Sequence, residues 1–275
     1  MKINYFCPFW GSESLPFEVF CEKVKHDGFD GVEMGLPSDT SKKKAIIRSL
    51  EAFELKLIGQ HYETLESDFD QHKKIYAHHI ENLTDSPVLF INSQTGKDYF
   101  SFNKNNALIE IADQLSAKAN KTILHETHRG KFSFAAHIMK EYLEKIPSLR
   151  IALDISHWCN VAETFLEDQE LAVDLAISRT EHIHSRVGYQ EGPQIPDPRA
   201  PEWQGAIEIH ANWWDKVIKR KQKEGANEFT ITTEFGASPY LLLMPFTRQP
   251  ITSQWEINVY MMNYLKNRYA EKPIN

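Results

Sequence analysis

KTILHETHRGKFSFAAHIMKEYLEKIPSLRIALDISHW, residues 121–158, decides how the chain is read. It opens on a short branched apolar run that closes in a glutamate (TILHE, 122–126) and ends on a second run that closes in an aspartate (RIALD, 150–154). Between them, over 133–146, Ala135, Ile138, Met139, Tyr142, Leu143 and Ile146 share one helical face. Two apolar runs joined by an amphipathic helix form a strand–helix–strand unit with parallel strands. Such strands are buried on both faces and therefore read as continuous apolar runs.

The same unit recurs outward in both directions. Strands are predicted near 2–6, 30–34, 57–61, 88–92, 122–126, 150–154, 180–184 and 229–234. A further helix is predicted over 103–120, with Leu108, Ile109, Ile111, Ala112, Leu115 and Ala119 on one face. Pro16 suits the first turn of an opening helix, and Gly28 and Gly225 sit where helices should stop. Eight strands alternating with eight helices predict a (β/α)8 TIM barrel, taken as one domain over 1–275. No Gly-rich phosphate loop follows the first strand, as an open dinucleotide-binding sheet would need. The stretches 185–206 and 235–252 are too long for plain turns and follow strand exits, where binding loops are expected.

Composition narrows the function classes. With 41% hydrophobic and 25% charged residues the chain reads as globular and ordered. Its net charge is −7 and its 31 Lys and Arg are scattered, so no basic footprint for nucleic acid is seen. No signal-like or membrane-spanning run is found, and the three cysteines are unpaired in spacing. The expectation is a cytoplasmic protein whose partners are small molecules and, at most, further copies of itself.

Polar residues fall where the apolar runs end: Glu126, Asp154, His184 (closing EHIH) and Glu234 (closing TITTE). An isolated buried charge is expensive, so four such exits around one barrel mouth point to a shared cation. Three carboxylates and one imidazole suit one divalent cation, Mn²⁺, Mg²⁺, Co²⁺ or Zn²⁺, in an open site. His182 lies two residues before His184 on the same strand face, one layer deeper, and is the rival ligand. Glu33 and His61 end strands two and three and are either substrate contacts or buried hydrogen-bonding groups. Arg186 and Arg199, with Arg129, could clamp an anionic substrate group or offset the surrounding acids. The proline-stiffened run GPQIPDPRAPEW (192–203) is read as a wall of the pocket, and Trp10, Trp158 and Trp203 as either sugar-stacking faces or core.

The segments GFDGVEMG (28–35), LHE (124–126), LDISHW (153–158), EHIHSR (181–186) and TTEFG (232–236) resemble the xylose-isomerase-like barrel superfamily across essentially the whole chain. That superfamily includes ketose 3-epimerases, inosose dehydratases and apurinic-site endonucleases. The resemblance implies Glu126, Asp154, His184 and Glu234 as metal ligands, with Glu126 and Glu234 also exchanging the proton, and His157 as a substrate contact. It implies a metal-dependent sugar isomerase or epimerase working through an enediolate, with a dehydratase on an inosose or keto-acid-like substrate, or a sugar-binding barrel without catalysis, as alternatives. Two departures stand out. The grip that ketose epimerases place beyond the ligand histidine is absent from SRVGYQEG, where Arg186 comes two positions on. Endonucleases follow an aspartate in the next loop with Arg and His, whereas here Asp197-Pro198-Arg199 runs into Ala200.

Overall fold

The computed structural model describes residues 1–270; the last five of the expected 1–275 domain lie outside the described residues. Eight parallel strands close into a barrel in chain order. They are β1 (Lys2–Pro8), β2 (Gly31–Met34), β3 (Lys56–His61), β4 (Ile91–Ser93), β5 (Ile123–Glu126), β6 (Ile151–Leu153), β7 (Thr180–His184) and β8 (Glu228–Thr232). Closure is made by β1 against β8, with Lys2 through Phe6 opposite Glu228 through Thr232. The helices, nine among the described residues, are α1 (Phe17–His26), α2 (Thr40–Ala52), α3 (Phe69–Thr84), α4 (Phe102–Ala119), α5 (Ala136–Lys145), α6 (Ser156–Ala162), α7 (Glu170–Arg179), α8 (Gln204–Lys223) and α9 (Gln254–Tyr269). One more helix than expected arises because β6 is followed by both α6 and α7.

Strand parity sorts the side chains. Cys7, Leu57, Ile123 and Ile151 face the helices and join one apolar cluster with Val24, Ile80, Leu108, Met139, Trp214 and Met261. Their neighbours Phe6, Ile58, Leu124 and Ala152 are fully or almost fully buried outside that cluster, filling the lumen. Each fully buried Leu, Ile or Phe contributes roughly 1.5–3 kcal/mol, so the sheet is held from both sides. Above the apolar lumen layer the inward positions turn polar: Glu33, Gln60, Asn92, Glu126, His182, His184 and Thr232.

Strand ends differ from the sequence expectation at several places, two of which bear on the site. The stretch predicted at 88–92 runs instead to Ser93. Its backbone bonds to β3 begin at Leu89 and Phe90; Asn92 then turns its side chain inward to Glu33, while Ser93 turns outward to His61. The strand expected over 229–234 stops at Thr232, and Glu234 takes φ 52°, a left-handed turn that directs the chain away from the sheet. Gly28 (φ 88°) and Gly225 (φ 76°) end α1 and α8 as the sequence suggested. No described helix is long and apolar enough to cross a membrane.

Candidate metal centre at the barrel mouth

Glu126, Asp154, His184 and Glu234 come from the exits of β5, β6, β7 and β8. Each offers one ligand atom, and these atoms all lie within 4.8 Å of one another; all four residues are buried. Inward parity explains the meeting. Glu126 and His184 are the last residues of their strands, Asp154 follows β6 directly, and the turn at Glu234 returns its carboxylate to the same level.

Each group is held by a partner outside the four. Asn92 donates to Glu126 at 2.8 Å and Gln94 donates to its other oxygen at 3.1 Å. Ser156 and Arg186 both donate to Asp154. Gln60 donates to Glu234 at 3.2 Å. His184 donates from Nε2 to Glu33 at 3.0 Å, which leaves Nδ1 turned to the cluster. A carboxylate that fixes the tautomer of a ligand histidine is a recurrent device in metal sites. His182 is engaged elsewhere, with Thr230 at 2.7 Å and Thr232 at 3.1 Å, so the structure brings His184 rather than its rival into the cluster.

The electrostatics are those of a site with too much negative charge. Burial, with Glu234 beside it, pushes the Glu126 carboxyl up to about 8. Burial also raises Asp154, although Arg186 opposes it. His184 is the reverse case: burial lowers it, but Glu234, Glu33 and Glu126 outweigh burial and hold it well above the ordinary imidazole range. Glu33 is penalised by burial yet kept well below the carboxylate range by His184 and His182. Nδ1 of His184 and Oε2 of Glu234 face each other in close contact, and neither has a hydrogen-bond partner in acceptable geometry. Buried polar atoms left this way are rare. Three carboxylates and one imidazole with two open donor atoms fit an O/N-coordinated divalent cation.

A cavity of about 260 Å³ lies over the cluster, lined by Trp10, Gln60, Tyr62, Gln94, His128, Arg186, Glu234 and Tyr240. Tyr240, from the loop after β8, stands edge-to-face with Trp10 (5.1 Å between ring centres) and lies under the guanidinium groups of Arg186 (4.7 Å) and Arg129 (5.0 Å). Trp10 reaches this position because residue 236 is glycine: a Cβ there would fall 2.1 Å from the indole.

Several expected substrate contacts are placed differently. His61 has the wrong parity: it points out toward α3, bonded to Ser93 (3.1 Å) and Thr64 (2.7 Å), and its neighbour Gln60 takes the inward position. Glu33 faces inward but lies beneath the cavity, where it braces His184 and His182. Arg199 pairs with Asp197 (2.7 Å) and Glu256 (3.1 Å) and does not line the cavity. Arg186 does line it, tied to Asp154 and donating to His157 at 2.7 Å. His157 is buried behind it with Nδ1 unpartnered and its ring 3.9 Å from that of His128. Residues 192–203 do not line the cavity either; Gln194 instead brackets Gly236 through both of its backbone groups. Of the three tryptophans only Trp10 lines it. Trp158 is core, bonded to Ser133, and Trp203 packs on Tyr189.

A scan against protein-family models finds no match, and no curated protein matches the chain. Solved structures do. A probable 3-DHS dehydratase, AsbF, from Bacillus anthracis is 16% identical with a TM-score of 0.57, over 98% of this chain and 100% of that one. The 3-keto-D-glucoside 4-epimerase YcjR from E. coli is 12% identical with a TM-score of 0.62, over 97% and 99%. A xylose isomerase-like TIM barrel protein from Mycobacterium smegmatis, in complex with magnesium, is 11% identical with a TM-score of 0.61, over 97% and 98%. The chain shares the (β/α)8 TIM-barrel fold with these proteins, one of them described as xylose isomerase-like. The names of its neighbours span more than one chemistry, so the fold alone assigns no reaction.

Proposed function

We propose that the chain is a divalent-metal-dependent isomerase or epimerase acting on a sugar or sugar derivative through an enediolate. The observation that carries this reading is the convergence of four buried donors, Glu126, Asp154, His184 and Glu234, beneath a cavity walled by aromatic rings and amides. The magnesium complex of one structural neighbour and the epimerase name of another support it.

Held by these four residues, a divalent cation would polarise a substrate carbonyl and stabilise the negative charge that develops beside it. The residues themselves supply the proton steps. Glu234 borders the cavity, so its carboxylate can take a proton from the carbon next to the carbonyl through the oxygen not given to the cation. Glu126 would be the second carboxylate to exchange the proton, with Asn92 and Gln94 fixing its orientation. Return of a proton to the opposite face gives epimerisation, and to the adjacent carbon isomerisation. Arg186 anchors Asp154, while Trp10 and Tyr240 offer an apolar wall to a sugar's C–H face and keep water out.

The test is solvent exchange. The protein loaded with Mn²⁺ is incubated in D₂O with a panel of ketoses, aldoses and inososes, and their C–H signals are followed by NMR. Deuterium entering beside a carbonyl, lost in Glu234→Gln, supports the assignment. Loss of a hydroxyl with formation of an unsaturated product would replace it with a dehydratase. Absence of any exchange with a ligand that demonstrably binds would refute catalysis.

A further inference from the structure

The cavity over the cluster has a neighbour that shares part of its wall. Trp10, Gln60 and Tyr62 also border a second cavity of about 260 Å³. Its apolar lining includes Phe9, Leu36 and Ile46, and Glu13 and Glu63 add two carboxylates. Each cavity alone falls below the roughly 300–1,000 Å³ of small-molecule sites, whereas the two joined fall within it. Gly35 sits at the edge of the second cavity, where a Cβ would lie 2.8 Å from the Glu63 carboxylate and 3.6 Å from the Tyr62 ring. A side chain there would intrude on the space.

Charge narrows the occupant. No basic side chain lines the second cavity. The first has Arg186, which is already bound to Asp154 and His157. Two carboxylates and no free cation disfavour a phosphate or carboxylate ligand. Apolar and aromatic walls with acceptor oxygens suit an uncharged ring with hydroxyl donors or an apolar face.

We infer that the site takes a glycoside rather than a free monosaccharide, with the reacting sugar over the four-residue cluster and an uncharged second ring in the cavity beyond Trp10, Gln60 and Tyr62. This rests on the reading of the cluster as the metal-holding, reacting centre. The second ring is either another sugar or an apolar aglycone, and the chemistry shared by both is a neutral ring on a glycosidic link.

The experiment is a ligand-observed NMR titration of the Mn²⁺-loaded protein with glucose, galactose and fructose, their phenyl glycosides, and the disaccharides cellobiose, lactose and sucrose. At least one glycoside should bind ten times more tightly than its parent monosaccharide, a difference of about 1.4 kcal/mol. Ile46→Trp, which fills the second cavity from α2, should bring that glycoside back to parity while the Mn²⁺ affinity stays unchanged. Gly35→Ala repeats the test from the loop after β2 should the first variant fold poorly. A gain among disaccharides identifies the second ring as a sugar, and a gain among phenyl glycosides identifies it as an aglycone; either supports the inference. Parity or no binding across all glycosides, or a gain that survives both variants, overturns it. If glycosides gain as stated but Mn²⁺ binding is absent, the metal reading alone fails.

Discussion

Glu126→Gln separates the cost of the cluster from its use. In the cation-free protein the buried Glu126 carboxyl titrates near 8, against about 4.3 when exposed in the unfolded chain. A carboxyl raised by folding destabilises the fold at any pH where the unfolded chain ionises it and the folded chain does not. The penalty is absent below about pH 4, grows through neutrality and levels off above pH 8. At pH 7 it amounts to about 4 kcal/mol. An amide at 126 removes that penalty but turns an N–H toward Asn92 or Gln94, both of which donate to this residue, at a cost of about 1 kcal/mol. The net expectation in EDTA at pH 7 is a variant more stable than the parent by about 3 kcal/mol, or roughly 6–12 °C in Tm for a chain of this size. Near pH 4.5 the gain should vanish. With Mn²⁺ the order should reverse, since the parent gains about 4.1 kcal/mol at a thousand times its Kd and the variant gains little. Thermal denaturation at the two pH values, with EDTA and with Mn²⁺, measures all four numbers. A variant less stable than the parent in EDTA at pH 7 would refute the charge argument, and parental stabilisation by Mn²⁺ retained in the variant would refute the ligand assignment.

Other expectations follow from the same geometry. Glu33→Gln should weaken Mn²⁺ binding by about 10–100-fold without touching the cation, because it only orients His184; a titration followed by EPR reads this directly. Arg199→Ala should change Mn²⁺ and sugar affinity less than twofold, its guanidinium being spent on Asp197 and Glu256. Lys131 is buried without a hydrogen-bond partner and is lowered to about 8, burial being the main cause. Lys131→Met should therefore stabilise the protein by about 1–3 kcal/mol below pH 8, with the gain closing by about pH 10.5 as the unfolded lysine loses its charge; urea denaturation across pH checks the slope. Trp214→Ala, on the buried face of α8, should cost about 3–5 kcal/mol in the same assay.

The barrel was legible because β–α alternation leaves a periodic trace, and the four cluster residues because each closes an apolar run. The supporting residues were harder to see. Gln60 and Asn92 are single polar residues inside or next to apolar runs, and two-residue parity would have marked them as inward-facing. Choosing the last residue of each run selected His61, whose parity sends it outward. His128 left a faint signal, two residues beyond Glu126 and next to Arg129. Tyr240 left none, since its place depends on how the loop after β8 folds back over Trp10. For Arg199 the sequence left a substrate clamp and an offset to nearby acids both open; the structure takes the second, with a partner, Glu256, that lies 57 residues away in α9, beyond what spacing reveals.

Barrel closure has a kinetic consequence. His184 is braced by Glu33 from β2, Glu126 by Asn92 from β4, and Glu234 arrives only with the strand that zips Glu228–Thr232 onto Lys2–Phe6. The Glu33–His184 and β1–β8 pairings span most of the chain, and contacts of such separation form late in folding. A nascent or half-assembled chain therefore holds no complete set of donors, and tight cation uptake reports that the first and last strands have met.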